Sequence, residues 1–124
     1  MTTQERLEIA NKFIEAIATH GRKFFAYKDR VGKFVMDGWR IYFIDAYSQK
    51  KIYLHYKYWT FSQGGTCRQI VDDLRKFIQG KIKLPVAHCG PWPEWYCGDG
   101  DLWGYGHKEM EKVRAKVNAL SDCA

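Results

Sequence analysis

Apolar residues at Leu7, Ala10, Ile14 and Ile17 recur every three or four positions, and Thr2 stands three residues before Glu5. The first spacing draws a stripe down one side of a helix. The second is a capping box, in which a hydroxyl and a carboxylate exchange hydrogen bonds with each other's backbone N–H. With His20-Gly21 as a stop, the pattern predicts a helix over 3–20.

From Arg22 the period shortens. Aromatic and β-branched runs over 22–28, 33–36, 39–46 and 51–58 are separated by Asp29-Arg30-Val31-Gly32, Asp37-Gly38 and Ser48-Gln49-Lys50. Such separators suit hairpins, and Asp-Gly is a favoured two-residue turn. An antiparallel meander of three or four strands over 22–58 is expected. In its last strand Ile52, Leu54, Tyr56 and Tyr58 alternate with Lys51, Tyr53, His55 and Lys57, so the two sets project from opposite faces. If the preceding strand pairs accordingly, Ile41 and Phe43 point inward with Leu54. Arg40 and Tyr42 then join Tyr53, His55 and Lys57 on the outer side.

Farther on, Gly64-Gly65 precedes Thr66 and Gln69, a second capping-box spacing, and then Ile70, Val71, Leu74, Phe77 and Ile78 lead to Gly80. This predicts a helix over 66–79. Residues 85–106 carry no helical or strand period and form a long loop rich in tryptophan and glycine. A last helix over 107–120 follows from the stripe Met110, Val113, Val117 and Leu120. The order implies a single α+β domain, 1–124: an antiparallel sheet with two or three helices on one face, sealed by the covering loop.

The 124 residues are 46% hydrophobic and 16% aromatic, enough for a core and unlike a disordered chain. No run approaches the length of a membrane span, and the N-terminus lacks a basic patch leading into an apolar stretch. A cytoplasmic protein is expected, with its four cysteines as free thiols. The net charge of +6 is unevenly spread: residues 21–58 hold nine basic and three acidic side chains, whereas residues 85–106 hold three acidic and no basic ones. The middle of the chain is cationic and the tryptophan loop acidic.

These features nominate several sites. Arg40, Tyr42, Lys51, Tyr53, His55 and Lys57 would form a basic, aromatic sheet face for a polyanion, most plausibly nucleic acid. Gly64, Gly65 and Thr66, entering a helix with Arg68 nearby, would offer backbone amides to a small phosphorylated nucleotide, although a capped helix after a flexible turn explains the same residues. Trp92, Trp95 and Trp103 are expected as large anchors of the covering loop on the core. Their exposed part would dock on another protein and inhibit it. Cys67, at the first turn of a helix, would gain a lowered pKa there, but a small buried residue is the commoner occupant. His88, Cys89, Cys97 and His107 have zinc-compatible atoms without the Cys-x(2–4)-Cys clip of structural sites, and Asp99 and Asp101 lack the ligand spacing of a calcium loop. No metal and no cofactor are expected. The reading is a noncatalytic binder of a protein or nucleic acid, with no membrane partner. An enzyme would require His55, Cys67 and Asp99 to converge.

Three segments, Gly64-Gly65-Thr66 entering "CRQIVDDLRKFI", "HCGPW" at 88–92 and "DLWGYG" at 101–106, resemble small uncharacterised accessory proteins encoded in tailed-bacteriophage genomes. The resemblance spans the C-terminal half. It implies a compact protein that binds a host factor, such as a component of antiviral defence, without catalysis. The helix, strands, helix order also resembles the double-stranded-RNA-binding domain. Here Gly65-Thr66-Cys67-Arg68-Gln69 stands where that family has the basic Lys-Lys-x-Ala-Lys start of its second helix.

Overall fold

The computed structural model describes residues 1–20, 24–55, 65–91, 95 and 106–124. Its elements are α1 (Thr3–His20), β1 (Ala26–Tyr27), β2 (Arg30–Val31), β3 (Lys33–Asp37), β4 (Arg40–Ile44), β5 (Lys51–Tyr53), α2 (Gly65–Ile78), a 3-10 turn (Val86–Cys89) and α3 (His107–Cys123). The fold is α+β.

The first capping box forms as its spacing requires: the Thr2 N–H donates to Glu5 Oε1 at 3.3 Å and the Glu5 N–H to Thr2 Oγ1 at 3.1 Å. Phe13 and Ala16 join the expected stripe of α1 inside the core. Helix α2 begins at Gly65, and Gln69, expected to reach back to the helix start, donates its amide forward to Asp73 Oδ1 at 3.0 Å. The second capping box is therefore corrected: α2 already includes Gly65, so Thr66 stands inside the first turn and not at the cap, and the Gln69 side chain is directed toward Asp73. At the other end, Gly80 takes a φ of 75°, its N–H bonds the Phe77 carbonyl, and the Lys81 N–H bonds that of Lys76. These two bonds are the Schellman closure that glycine permits. Arg6 lies against it, Nε donating to the Ile78 carbonyl at 2.9 Å, so the start of α1 is tied to the end of α2.

The sheet has three strands in the order β3-β4-β5, all antiparallel, and β1 with β2 forms a separate two-stranded hairpin. Two sequence expectations change. The segment Asp29–Gly32, read as a turn, contains β2. The run expected as a first strand from Arg22 is a strand only at 26–27, because Phe25 and Lys28 have φ of 61° and 56°, outside the extended region; residues 21–23 lie outside the described part. The turn read at Asp37-Gly38 is Gly38-Trp39, since Asp37 pairs with Arg40 and Gly38 has φ 62°. Trp39 is thus at a hairpin tip rather than in a strand. Strand β5 covers only the start of the expected run 51–58, with Leu54 and His55 in a turn. Its remainder from Tyr56 is outside the described residues.

Phe34, Ile41, Phe43, Ile52 and Leu54 meet Phe13, Ile14 and Ile17 of α1, Ile70 and Leu74 of α2, and Met110, Val113 and Val117 of α3 in one core. Phe43 packs edge-on against both Phe34 and Phe25. The 3-10 turn is pinned on two sides, by His88 Nε2 to Asp73 Oδ2 at 2.7 Å and by Arg114 Nη1 to the Cys89 carbonyl at 3.3 Å. No described helix is long and apolar enough to cross a membrane.

Candidate nucleic-acid interface

Strand register sets the face that looks away from the helices. Directly paired residues share a side of the sheet, so the pairings Lys33–Ile44–Lys51, Val35–Tyr42–Tyr53 and Asp37–Arg40 form three successive outer rows. Their inner counterparts Phe43 and Ile41 are 1% and 2% exposed, while Tyr42 and Tyr53 are half-buried and Arg40, Lys51 and His55 exposed. The parity read from the last strand therefore holds through His55.

The rings on this face touch in sequence. Trp39 and His55 have centroids 5.9 Å apart, His55 and Tyr53 5.2 Å, and Tyr53 and Tyr42 5.2 Å with planes tilted by only 35°. The Arg40 guanidinium lies 5.4 Å from the Trp39 ring and 5.5 Å from that of Tyr53, and Lys51 Nζ lies 4.4 Å from Tyr42. Exposed cation–π contacts are worth about 0.5–1 kcal/mol. A nucleobase stacked on an aromatic side chain gains about 1–3 kcal/mol. A base can therefore displace either cation from its ring and leave it beside the incoming phosphate.

The hairpin adds a second cluster at the far end of the face. Tyr27 and Tyr47 meet edge-on at 4.7 Å, and Arg30 stacks 5.3 Å from Tyr27 while its Nε donates to the Ala46 carbonyl at 3.0 Å. Between hairpin and sheet lies a cavity of about 330 Å³ lined by Arg30, Val31, Lys33, Ile44, Asp45, Ala46 and Gln49. Asp45 is 3% exposed, and its Oδ2 accepts from the Ser48 N–H and hydroxyl, which closes the β4–β5 turn. Across residues 24–55 six lysines and arginines face three aspartates. Lys28, Lys33, Lys50 and Lys51 form no ion pair with a described carboxylate.

Of the expected interface residues, Arg40, Tyr42, Lys51, Tyr53 and His55 come together on this face, and Lys57 lies outside the described residues. Sequence reasoning missed Trp39, Tyr27, Arg30, Lys33 and Tyr47. Lys33 was legible, since β3 alternates as its neighbours do. The hairpin cluster was not, because no period marks strands of two residues.

The other candidates fare differently. Gly64 is outside the described residues; a Cβ on Gly65 would stand in open space, so no close approach demands glycine there, and Thr66 and Arg68 are exposed on α2. Cys67 is 2% exposed, the small buried residue that is commoner at such a position, and burial pushes its thiol up to about 12 instead of lowering it. His55 faces water while Cys67 is in the core, so these two of the three groups an enzyme would need do not converge; Asp99 is outside the described residues. Trp95 is 85% exposed, which corrects its role as a core anchor and leaves it as a surface ring. Trp92, Trp103, Cys97 and Asp101 lie outside the described residues. His88 pairs with Asp73 and His107 Nε2 with Glu111 Oε1 at 2.8 Å. Among the described residues no three His, Cys, Asp or Glu side chains gather as metal ligands.

Comparison with curated proteins gives no match, and comparison with solved structures gives none. A family model described as YoqU matches residues 1–121, and the chain belongs to the YoqU family.

Proposed function

We propose that the protein is a noncatalytic binder of nucleic acid, acting through the outer face of its sheet. The observation that carries this reading is the continuous run of Trp39, His55, Tyr53 and Tyr42 with Arg40 and Lys51 laid on its rings. Cations meet phosphates and rings meet bases, and this face sets cations 4.4 to 5.5 Å from ring centres. YoqU is a protein name of the Bacillus phage SPBc2 type. Family membership supports a small phage-type protein, and action on a host factor, such as one of antiviral defence, is the finer part of the proposal.

The test is fluorescence anisotropy with random-sequence oligonucleotides at rising salt. Binding at low salt, with log affinity falling linearly in log salt, is expected. The Arg40→Gln, Lys51→Gln double variant should bind about tenfold more weakly and show a shallower salt slope. An unchanged slope, or no binding at low salt, refutes the reading.

A second reading is favoured by Trp95, whose exposure suits an anchor for another protein. Trp95→Ala should leave oligonucleotide affinity and thermal stability unchanged and abolish only a protein contact.

A further inference from the structure

We infer that the face selects single-stranded over duplex nucleic acid, and that the cavity beside hairpin β1–β2 holds a phosphate at one end of the bound segment. This rests on the reading above and names the ligand class of the same face.

Duplex and single-stranded nucleic acid present different groups to a protein surface. A duplex offers phosphates and groove edges, and its base faces are covered by their neighbours, so a protein reads it with an element that enters a groove. Here the centre of the face is a sheet whose Tyr42 and Tyr53 rings are half-buried between cations, and among the described residues no helix rises from it. Rings set into a sheet can stack only on bases whose faces are open, which single strands supply and duplexes do not.

Order along the face gives the second step. Successive outer rows are two residues apart on each strand, about 7 Å. They run from Arg40 with Trp39, through Tyr42 and Tyr53, to Lys33 and Lys51 flanking Ile44. Cation, rings, cation is the sequence of contacts that two or three nucleotides would make when running along the strands with bases down and phosphates at each end.

The last row opens into the 330 Å³ cavity, where Arg30 is already oriented. Its Cζ lies 5.3 Å from the Tyr27 ring centre and its Nε donates to the Ala46 carbonyl, while its Nη atoms donate to no described residue. A guanidinium held on one edge with the other open matches the paired oxygens of a phosphate. Lys33 lines the same cavity and has no ion pair with any described carboxylate. The one carboxylate among the described residues of the wall, Asp45, has Oδ2 engaged by Ser48.

The experiment compares a labelled twelve-nucleotide oligothymidylate with a duplex of equal length, by anisotropy at 50 and 200 mM salt. The single strand is expected to bind at least tenfold tighter. Tyr42→Leu with Tyr53→Leu should remove that preference by weakening only the single strand. Arg30→Gln with Lys33→Gln should lower single-strand affinity and reduce the salt slope by about 0.7, the share of the one phosphate held there. Lys33→Gln alone, at an exposed side chain, should give about half that change, which guards against a misfolded double variant. Equal affinity for duplex and single strand overturns the selectivity while leaving the nucleic-acid reading intact. An unchanged slope in both cavity variants overturns the phosphate site. Failure of the unaltered protein to bind either form at 50 mM salt defeats the underlying reading itself.

Discussion

Asn11 gives both ends of its side-chain amide to one residue: Oδ1 accepts from the Phe34 N–H at 2.6 Å and Nδ2 donates to the Phe34 carbonyl at 3.0 Å. Strand β3 is the edge of its sheet, and Phe34 turns these two groups away from β4. Left open, they would invite another strand; α1 closes them instead. Asn11→Ala is expected to cost about 1–3 kcal/mol, the range for stranding partly buried backbone groups. Asn11→Asp should cost less in neutral solution, since it keeps the acceptor for the N–H. Thermal unfolding ranks the two, and hydrogen exchange at the Phe34 amide should quicken in the alanine variant alone.

Gly32 and Phe43 meet where β2 turns into β3. A Cβ on Gly32 would lie 2.5 Å from Phe43 Cζ, and the ring cannot swing aside because Phe25 and Phe34 pack edge-on against it in the core. Gly32→Ala should therefore cost about 1–3 kcal/mol, as overpacking does. Gly38→Ala is the control: its φ is 62° but nothing lies within 4 Å of the added carbon, so only left-handed strain remains, about 1–2 kcal/mol. Denaturant unfolding should show unchanged m-values for both and loss of edge-on aromatic near-ultraviolet dichroism for Gly32→Ala alone.

These two relationships also show what the sequence could reveal. Helices announced themselves through the stripes Leu7–Ile17, Ile70–Ile78 and Met110–Val117, because burial on one side imposes a period over four or five turns. The outer face was equally readable from the alternation of Lys51, Tyr53 and His55 against Ile52 and Leu54. Three features carried no local signal. The placement of β2 within an expected turn depends on left-handed Phe25 and Lys28, which only surrounding contacts hold. Asn11 on a helix looks like any polar residue until Phe34, 23 positions later, is known to be an edge. Arg30 joins the site because Tyr27 and Ala46 fix it from two other elements.

Acid should loosen both ends of the helical layer. The Thr2 backbone and hydroxyl hold the Glu5 carboxyl below its ordinary value of 4.5, and the His20 and Lys112 side chains do the same for Glu109. A carboxylate whose folded pKa is depressed stabilises the fold at neutral pH, and that contribution disappears as pH falls from about 4.5 through the folded value. The melting-temperature gap between the unaltered protein and Glu5→Gln, or Glu109→Gln, should therefore be open at pH 7 and narrow progressively as the pH falls below about 4.5. A gap that stays constant over that range would mean the amides lose packing rather than charge.

Burial decides the cysteine chemistry. Cys67 and Cys89 sit in the core with thiols pushed up to about 12 from 9.0, whereas Cys123 is exposed. A shift of that size leaves about a thousandfold less thiolate at pH 8. In a Cys97→Ser background, a disulfide reagent at pH 8 should consume one thiol quickly, and two more only after denaturant is added. The same shift has a thermodynamic counterpart. A thiol whose folded pKa is raised stabilises the fold below its unfolded value, and that stabilisation drains away as pH climbs from 9 toward 12. The unaltered protein should accordingly lose stability over this interval faster than the Cys67→Ala, Cys89→Ala variant, although that variant starts lower through its lost packing. Rapid labelling of Cys67 in the folded protein would instead place its sulfur within reach of water and return it to the list of reactive groups.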